Sequence, residues 1–301
     1  MDVGVIGVGS MGRNHVRIYS ELKSVDSLGI YDVNTDAAKA LGEKHGATVY
    51  KSIGELLDNT DAVSVVVPTQ FHSKVVGEVF SKKRSVLIEK PICATSAEAK
   101  QLMKSAPAGI TVGFGHIERF NPIVAEIKKI VKQPLYFEMK RHNPSSSRIT
   151  GSSVVEDLMI HDIDILLHEF FSDPCEIHSV GNDDVMSVLM KCDNIPVVLS
   201  ASRKASKKIR LFYVESEEFT IEGDFMTQEI TIHRKPGQYQ VEAQRYVQEN
   251  IIEKVMVGKV EPLKRELETF IDCVKKERPF PITPEQAIRN LEFCEKVRAA
   301  Y

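Results

Sequence analysis

The chain lacks most of the features that assign a protein to a specialised class. Neither sign of charge is in excess: 39 Lys and Arg stand against 42 Asp and Glu, a net charge of −3. Such a balance argues against nucleic acid or an anionic membrane surface as a partner. No apolar run approaches the ~20 residues that a membrane-spanning helix needs. The first apolar run starts at Val3, which leaves no room for a secretory or transit segment, so a cytoplasmic location is expected. The five cysteines, Cys93, Cys175, Cys192, Cys273 and Cys294, are odd in number, scattered, and form no C-x-x-C pair. Reduced thiols are expected, with neither a disulfide framework nor a metal site. Repeats and low-complexity tracts are absent too. What remains is 301 residues, 43% hydrophobic and 27% charged, enough for two domains with sizeable cores.

From residue 1 to 119 short apolar runs (3–6, 27–31, 47–50, 62–67, 85–88, 110–114) alternate with helically spaced segments (13–22, 36–45, 53–57, 73–80, 96–104). Strands separated by helices predict βαβ units and a parallel sheet. Ser52 with Glu55 and Thr95 with Glu98 read as capping boxes. From residue 120 to 301 the pattern changes. A helix over 122–131, a strand over 135–141, a polar loop over 143–153 and a helix over 154–171 precede a succession of strands between 177 and 233. Strands without intervening helices predict a mostly antiparallel open sheet. Helices over 262–276 and 284–300 close the chain, the second opened by Thr283-Pro284-Glu285-Gln286. The expected fold is therefore α/β, an N-terminal Rossmann domain followed by an α+β domain for substrate and self-association.

The first strand runs into Gly7-Val8-Gly9-Ser10-Met11-Gly12, and the second ends on Asp32. Gly7 suits the tight turn, Gly9 the approach of a pyrophosphate to the backbone, and Gly12 close packing of helix on strand. The amides at the helix start, from Ser10 and Met11 onward, attract phosphate. Asp32 can accept hydrogen bonds from the adenine ribose hydroxyls. Its charge repels a 2′-phosphate and no Lys or Arg follows until Lys39, so NAD is favoured over NADP.

Three more motifs carry chemistry. Pro68-Thr69-Gln70-Phe71-His72 and Glu89-Lys90-Pro91 end the fourth and fifth Rossmann strands, at the edge where ligands of open α/β sheets bind. In the third, Glu156 to Asp164, Asp157 and His161 stand four positions apart and share a helix face. Oxidising a secondary alcohol requires a base for the hydroxyl proton, and a histidine oriented by a carboxylate suits that role. A cation such as Lys90 would stabilise the developing alkoxide. His15, three positions after Gly12, is read as a helix residue without a role.

Together these motifs resemble the Gfo/Idh/MocA family of NAD(P)-dependent sugar and cyclitol oxidoreductases. The resemblance implies catalysis by Lys90, Asp157 and His161, and cofactor contacts from the glycine loop, Asp32, Pro68, Thr69, His72, Glu89 and Lys90. Residues 115–122, Arg141 to Pro144 with Arg148, and residues 155–164 are most similar to the members that oxidise the C3 hydroxyl of UDP-N-acetylglucosamine. That likeness implies Arg119, Asn121, Arg141, Arg148, Asp157 and His161 as substrate-binding residues, the arginines holding a diphosphate bidentately. A reductase of another carbonyl or imine, a myo-inositol-type dehydrogenase and a non-catalytic NAD-binding regulator are the alternatives. One departure stands out: members often carry Gly two residues after the catalytic Asp, where this chain has Met159. Adjacent apolar residues in the later strands, Val197-Val198-Leu199 and Leu211-Phe212-Tyr213-Val214, predict a homo-dimer or homo-tetramer through the C-terminal sheet.

Overall fold

The computed structural model describes residues 1–144, 152–171, 174–236, 240–242, 245–247 and 250–301. In it the chain divides into two compact units, residues 1–120 with 261–292, and residues 121–260 with 293–301.

The first unit is built on alternating strands and helices. These are β1 (Asp2–Ile6), α1 (Ser10–Glu21), β2 (Ser27–Tyr31), α2 (Thr35–His45), β3 (Thr48–Val49), α3 (Ile53–Asp58), β4 (Ala62–Val65), α4 (His72–Ser81), β5 (Ser85–Glu89), α5 (Ser96–Lys104) and β6 (Val112–Gly115). The six strands are parallel in the order β3-β2-β1-β4-β5-β6. This is a doubly wound sheet, and β1 and β4 flank the point where the strand order reverses. Its central strands are buried on both faces (Val3, Val5, Val63, Val65, Leu87, Ile88), which is why they read as continuous apolar runs rather than alternating ones. Both caps form: Glu55 N–H donates to Ser52 Oγ at 3.1 Å and Glu98 N–H to Thr95 Oγ1 at 3.2 Å, while the Glu55 and Glu98 carboxylates accept from the N–H one residue before each cap, of Lys51 and Ala94.

The second unit holds α6 (Pro122–Ile130), β7 (Pro134–His142), α7 (Ile160–Ile165), β8 (Pro174–Gly181), β9 (Val185–Cys192), β10 (Ile195–Ser202), β11 (Ile209–Ser216), β12 (Phe219–Asp224), β13 (Glu229–Arg234), β14 (Gln240–Glu242), β15 (Arg245–Val247) and β16 (Ile252–Val255). Among the described residues eight of these strands form one sheet, β16-β13-β12-β11-β7-β10-β9-β8, and β14 pairs with β15. Every neighbouring pair in the large sheet is antiparallel except β7 with β10, which is parallel. One face is core: Phe137, Met139, Val188, Val197, Leu199, Phe212 and Val214 are buried with Ile160, Ile163 and Leu166 of the segment that follows β7. The alternation along β9, exposed and buried at successive residues, is the period of a sheet with one buried face.

Two features depart from the sequence reading. The helix expected over 154–171 is α7 flanked by two π-helical turns, Val155–Met159 and Leu166–Phe170. Apolar spacing cannot distinguish i→i+4 from i→i+5 bonding over so short a stretch, and π turns cluster at functional sites. The closing helices, expected with the second domain, are α8 (Pro262–Lys275) and α9 (Pro284–Ala299). Residues 261–292 cluster with the first unit instead. Leu263, Leu267, Phe270, Ile271 and Leu291 enter the core of the parallel sheet, a long-range return that no local pattern encodes.

Candidate active site

The first unit's candidate site residues sit at the carboxyl ends of β1, β2, β4 and β5. Gly7 has φ +97°, and a Cβ there would stand 2.7 Å from the Val66 carbonyl oxygen. A Cβ on Gly12 would lie 1.9 Å from the Gly7 oxygen, so only glycine lets α1 start this close to the strand. Nothing lies within 4 Å of where a Gly9 side chain would be, and α1 receives no side-chain cap and no acid in its first turn. Asp32 is fixed beside this loop: Val8 N–H donates to Oδ2 at 2.6 Å and Asn34 N–H to Oδ1 at 2.8 Å. Each carboxylate oxygen keeps a lone pair for a ribose hydroxyl. An open, uncapped helix start beside a held carboxylate fits a dinucleotide. Among the described residues no group of three or more His, Cys, Asp or Glu could hold a metal.

Pro68, Thr69 and Gln70 form a short exposed turn leading into α4. His72, read as a cofactor contact, turns inward instead and is 1% exposed. Its Nε2 lies 2.8 Å from the Val67 carbonyl oxygen and its Nδ1 3.0 and 3.2 Å from those of Pro91 and Ile92. Burial holds it below the ordinary histidine range, against the opposing pull of those carbonyls and Glu89. It ties the loop after β4 to the loop after β5. Glu89, also read as a cofactor contact, is buried against His15, with Nε2 and Oε1 2.9 Å apart. Lys90 itself is partly exposed, and the peptide bond to Pro91 is cis. Arg119 is partly exposed and its Nη2 donates to Gln286 Oε1 at 3.4 Å, within the same unit.

In the second unit, every residue from Ser153 to Leu167 is buried except Asp157 and His161. Asp157 lies in the first π turn and His161 in α7. Four positions are slightly more than one α turn and slightly less than one π turn, so the two remain close in angle. They are the accessible acid and base of an otherwise buried segment. Its start is pinned where Val154 N–H donates to the Asp183 carbonyl (2.7 Å) and Arg203 Nη2 to the Ser152 carbonyl (2.8 Å). Met159 is fully buried in the core of this unit, so its bulk is absorbed there.

Two residues expected to bind substrate serve the scaffold. Arg141 is 1% exposed, and its Nε and Nη2 donate to Asp162 Oδ1 at 2.9 and 2.6 Å. Its guanidinium carbon also lies 5.3 Å from the centre of the Phe225 ring. A basic residue near the end of a strand reads the same in sequence whether it points to solvent or to a buried acid 21 positions away. Asn121 caps α6, accepting from Ile123 N–H at 3.4 Å, and its Nδ2 donates to the Phe225 carbonyl at 3.1 Å. Arg148 lies outside the described residues. Sequence reasoning missed His15, whose partner is 74 positions away, and Arg203; nothing local marks either.

Residues 1–113 match the model of an oxidoreductase family with an NAD-binding Rossmann fold. The whole chain is 29% identical to UDP-N-acetylglucosamine 3-dehydrogenase of Acidithiobacillus ferrooxidans, covering 97% of that protein. The crystal structure of that enzyme superposes with a TM-score of 0.87 at 27% identity, over 100% of this chain and 97% of that one. Glucose-6-phosphate 3-dehydrogenase of Bacillus subtilis is 27% identical over 57% of this chain and 54% of its own length. Levoglucosan dehydrogenase in complex with NADH and levoglucosan shares the fold, with a TM-score of 0.83 at 16% identity, over 100% of this chain and 96% of that one.

Proposed function

We propose that this chain, which belongs to the Gfo/Idh/MocA oxidoreductases, oxidises the C3 hydroxyl of UDP-N-acetylglucosamine with NAD. The observation that carries the substrate is the extent of likeness. Similarity to the UDP-N-acetylglucosamine 3-dehydrogenase runs the full chain, whereas similarity to the glucose-6-phosphate and inositol dehydrogenases covers just over half of it. In this reading His161 removes the hydroxyl proton, Asp157 orients the imidazole, and Lys90 stabilises the alkoxide. Bound NAD supplies the hydride acceptor. With Arg141 buried, Arg119 and Arg148 are the basic residues left from the sequence reading to hold the diphosphate.

Purified protein incubated with NAD and a panel of nucleotide sugars, free sugars and polyols tests this through absorbance of the reduced nicotinamide. UDP-N-acetylglucosamine is expected to be the preferred substrate; preference for a polyol or an unactivated sugar would overturn the assignment.

Asp32 is the residue that excludes NADP in this reading. Asp32→Ser is expected to weaken NAD about 10- to 100-fold, the scale of a lost charge-assisted hydrogen bond of about 1.5–3 kcal/mol. It should also narrow the gap to NADP by removing the repulsion. Titration of both cofactors checks it, and a wild-type preference for NADP would refute it.

Self-association through the large sheet belongs to the same proposal. Side chains alternating with the core positions (Leu189, Val198, Leu211, Tyr213) face away from the buried side, and Leu189 is 52% exposed. Light scattering at micromolar concentration is expected to give a multiple of the 33.7 kDa chain mass. A monomeric mass would refute it.

A further inference from the structure

His15 and Glu89 form a buried polar pair that the chemistry above does not use. His15 is on α1, the helix whose start faces the dinucleotide loop, and is wholly inaccessible. Glu89 is the last residue of β5. Its Oε1 meets His15 Nε2 at 2.9 Å, and its Oε2 accepts from the Lys90 main-chain N–H at 3.2 Å. The partner strand makes room for the carboxylate. Gly115 stands opposite Glu89 on β6, and a Cβ there would lie 3.0 Å from Glu89 Cδ and Oε2. Tyr19, one turn along α1, meets His15 edge-on, with ring centres 6.3 Å apart, and its hydroxyl bonds Ser64 Oγ at 2.8 Å.

Stability does not explain such a pair. Taking both groups out of water costs several kcal/mol each, and an apolar pair of similar volume would hold a helix to a strand as well or better. A buried carboxylate compensated by a specific partner, next to a residue assigned to chemistry, is the pattern of a functional site. Burial alone would push Glu89 up, but the bond and charge of His15 together with Lys90 hold it below the usual carboxylate range. The titratable groups around it are His15 and Tyr19 from α1, His72 from α4, and Lys90 next in the chain.

We propose that His15 and Glu89 are positioning residues for Lys90, acting through the bond to its main chain and through the charge of the carboxylate that precedes it in the chain. The proposal rests on the assignment of Lys90 to chemistry. It makes α1 a shared support: its first turn faces the cofactor loop, and its second holds the acid that holds the lysine. Glu89→Gln keeps the shape and a hydrogen-bonding side chain but removes the charge, and so isolates the electrostatic part. His15→Gln removes the partner and leaves the carboxylate.

The test reads Lys90 directly. Reductive methylation of the NAD-free protein, quantified by mass spectrometry of the Lys90 peptide across pH, gives the pH at which that amine becomes reactive. In Glu89→Gln the midpoint is expected to fall by about one pH unit, the scale of one lost neighbouring charge. Turnover should fall about tenfold or more with substrate KM nearly unchanged, the signature of an interaction realised in the transition state. His15→Gln leaves the carboxylate charged, so it should lower turnover by less and leave the labelling midpoint near wild type. The double variant should be no worse than Glu89→Gln, because the two residues act as one unit. Lys90→Met separates the two ideas. If it retains turnover, the assignment of Lys90 fails. If it loses turnover while Glu89→Gln keeps wild-type turnover and a wild-type labelling midpoint, the positioning role fails alone. Should Glu89→Gln not fold, the kinetics of His15→Gln decide, and a wild-type kcat overturns the proposal.

Discussion

Lys90→Ala and His161→Ala are each expected to lower turnover by about 100-fold or more, the scale of lost proton transfer or charge stabilisation in the transition state. The loss should fall on kcat rather than on substrate KM, because in the proposed chemistry both groups act on charge that develops during the reaction. Neither side chain belongs to a core. Lys90 and His161 are both partly exposed, and His161 is one of the two accessible residues between Ser153 and Leu167. Truncation therefore opens no cavity of the kind that costs several kcal/mol, so the melting temperature should stay close to wild type in both variants and NAD affinity in His161→Ala. Asp157→Asn should cost less than His161→Ala, since it removes an orienting group and leaves the base. Steady-state kinetics on the true substrate, paired with NAD titration, check the pattern. Near-normal turnover in either alanine variant would remove that residue from the chemistry.

The parts of this molecule that were legible in sequence are those fixed by short-range rules. The glycine loop, Asp32 at the end of β2 and the caps at Ser52–Glu55 and Thr95–Glu98 each rest on residues a few positions apart, and each forms as expected. The Asp157–His161 pair was legible for the same reason. The structure adds that the rest of that segment is buried, which apolar content alone could not say because Asp162 and Asp164 are buried with it. What was not legible depends on pairing across the chain. Val197-Val198-Leu199 reads as uniformly apolar, and only the register of β10 between β7 and β9 sends Val197 and Leu199 inward. The return of Leu267 and Phe270 to the first core and the His15–Glu89 pair are likewise partnerships over long separations. His72, Glu89 and Arg141 read in sequence as polar residues open to a ligand, whereas each is buried against hydrogen-bond partners of its own unit, most of them far along the chain.

Arg141→Ala should distinguish support from recognition most sharply. In the wild type the guanidinium and the Asp162 carboxylate are 1% and 3% exposed, joined by two hydrogen bonds to one oxygen, with Phe225 against the cation. Removing the arginine takes the ion-pair partner from a buried carboxylate, which costs about 3–5 kcal/mol. For a unit of this size that corresponds to a fall in melting temperature of roughly 10 °C. Arg141→Lys should recover part of the loss by restoring a charge without the planar fork. Replacing both partners by apolar residues, as in Arg141→Met with Asp162→Leu, should recover more of it, because the buried charge is then removed along with its partner. A diphosphate-binding arginine predicts the opposite: an unchanged melting temperature and a raised KM for nucleotide sugars in Arg141→Ala. Asp162 is also the residue after His161, so the ion pair anchors the segment that carries His161 to β7. The destabilised variant should therefore lose turnover as well, and stabilising it by the double replacement should not fully restore kcat if the pair also sets the angle of the imidazole. A thermal melt of the three variants beside their kinetics separates the readings, and an Arg141→Ala protein as stable as wild type would sink the structural one.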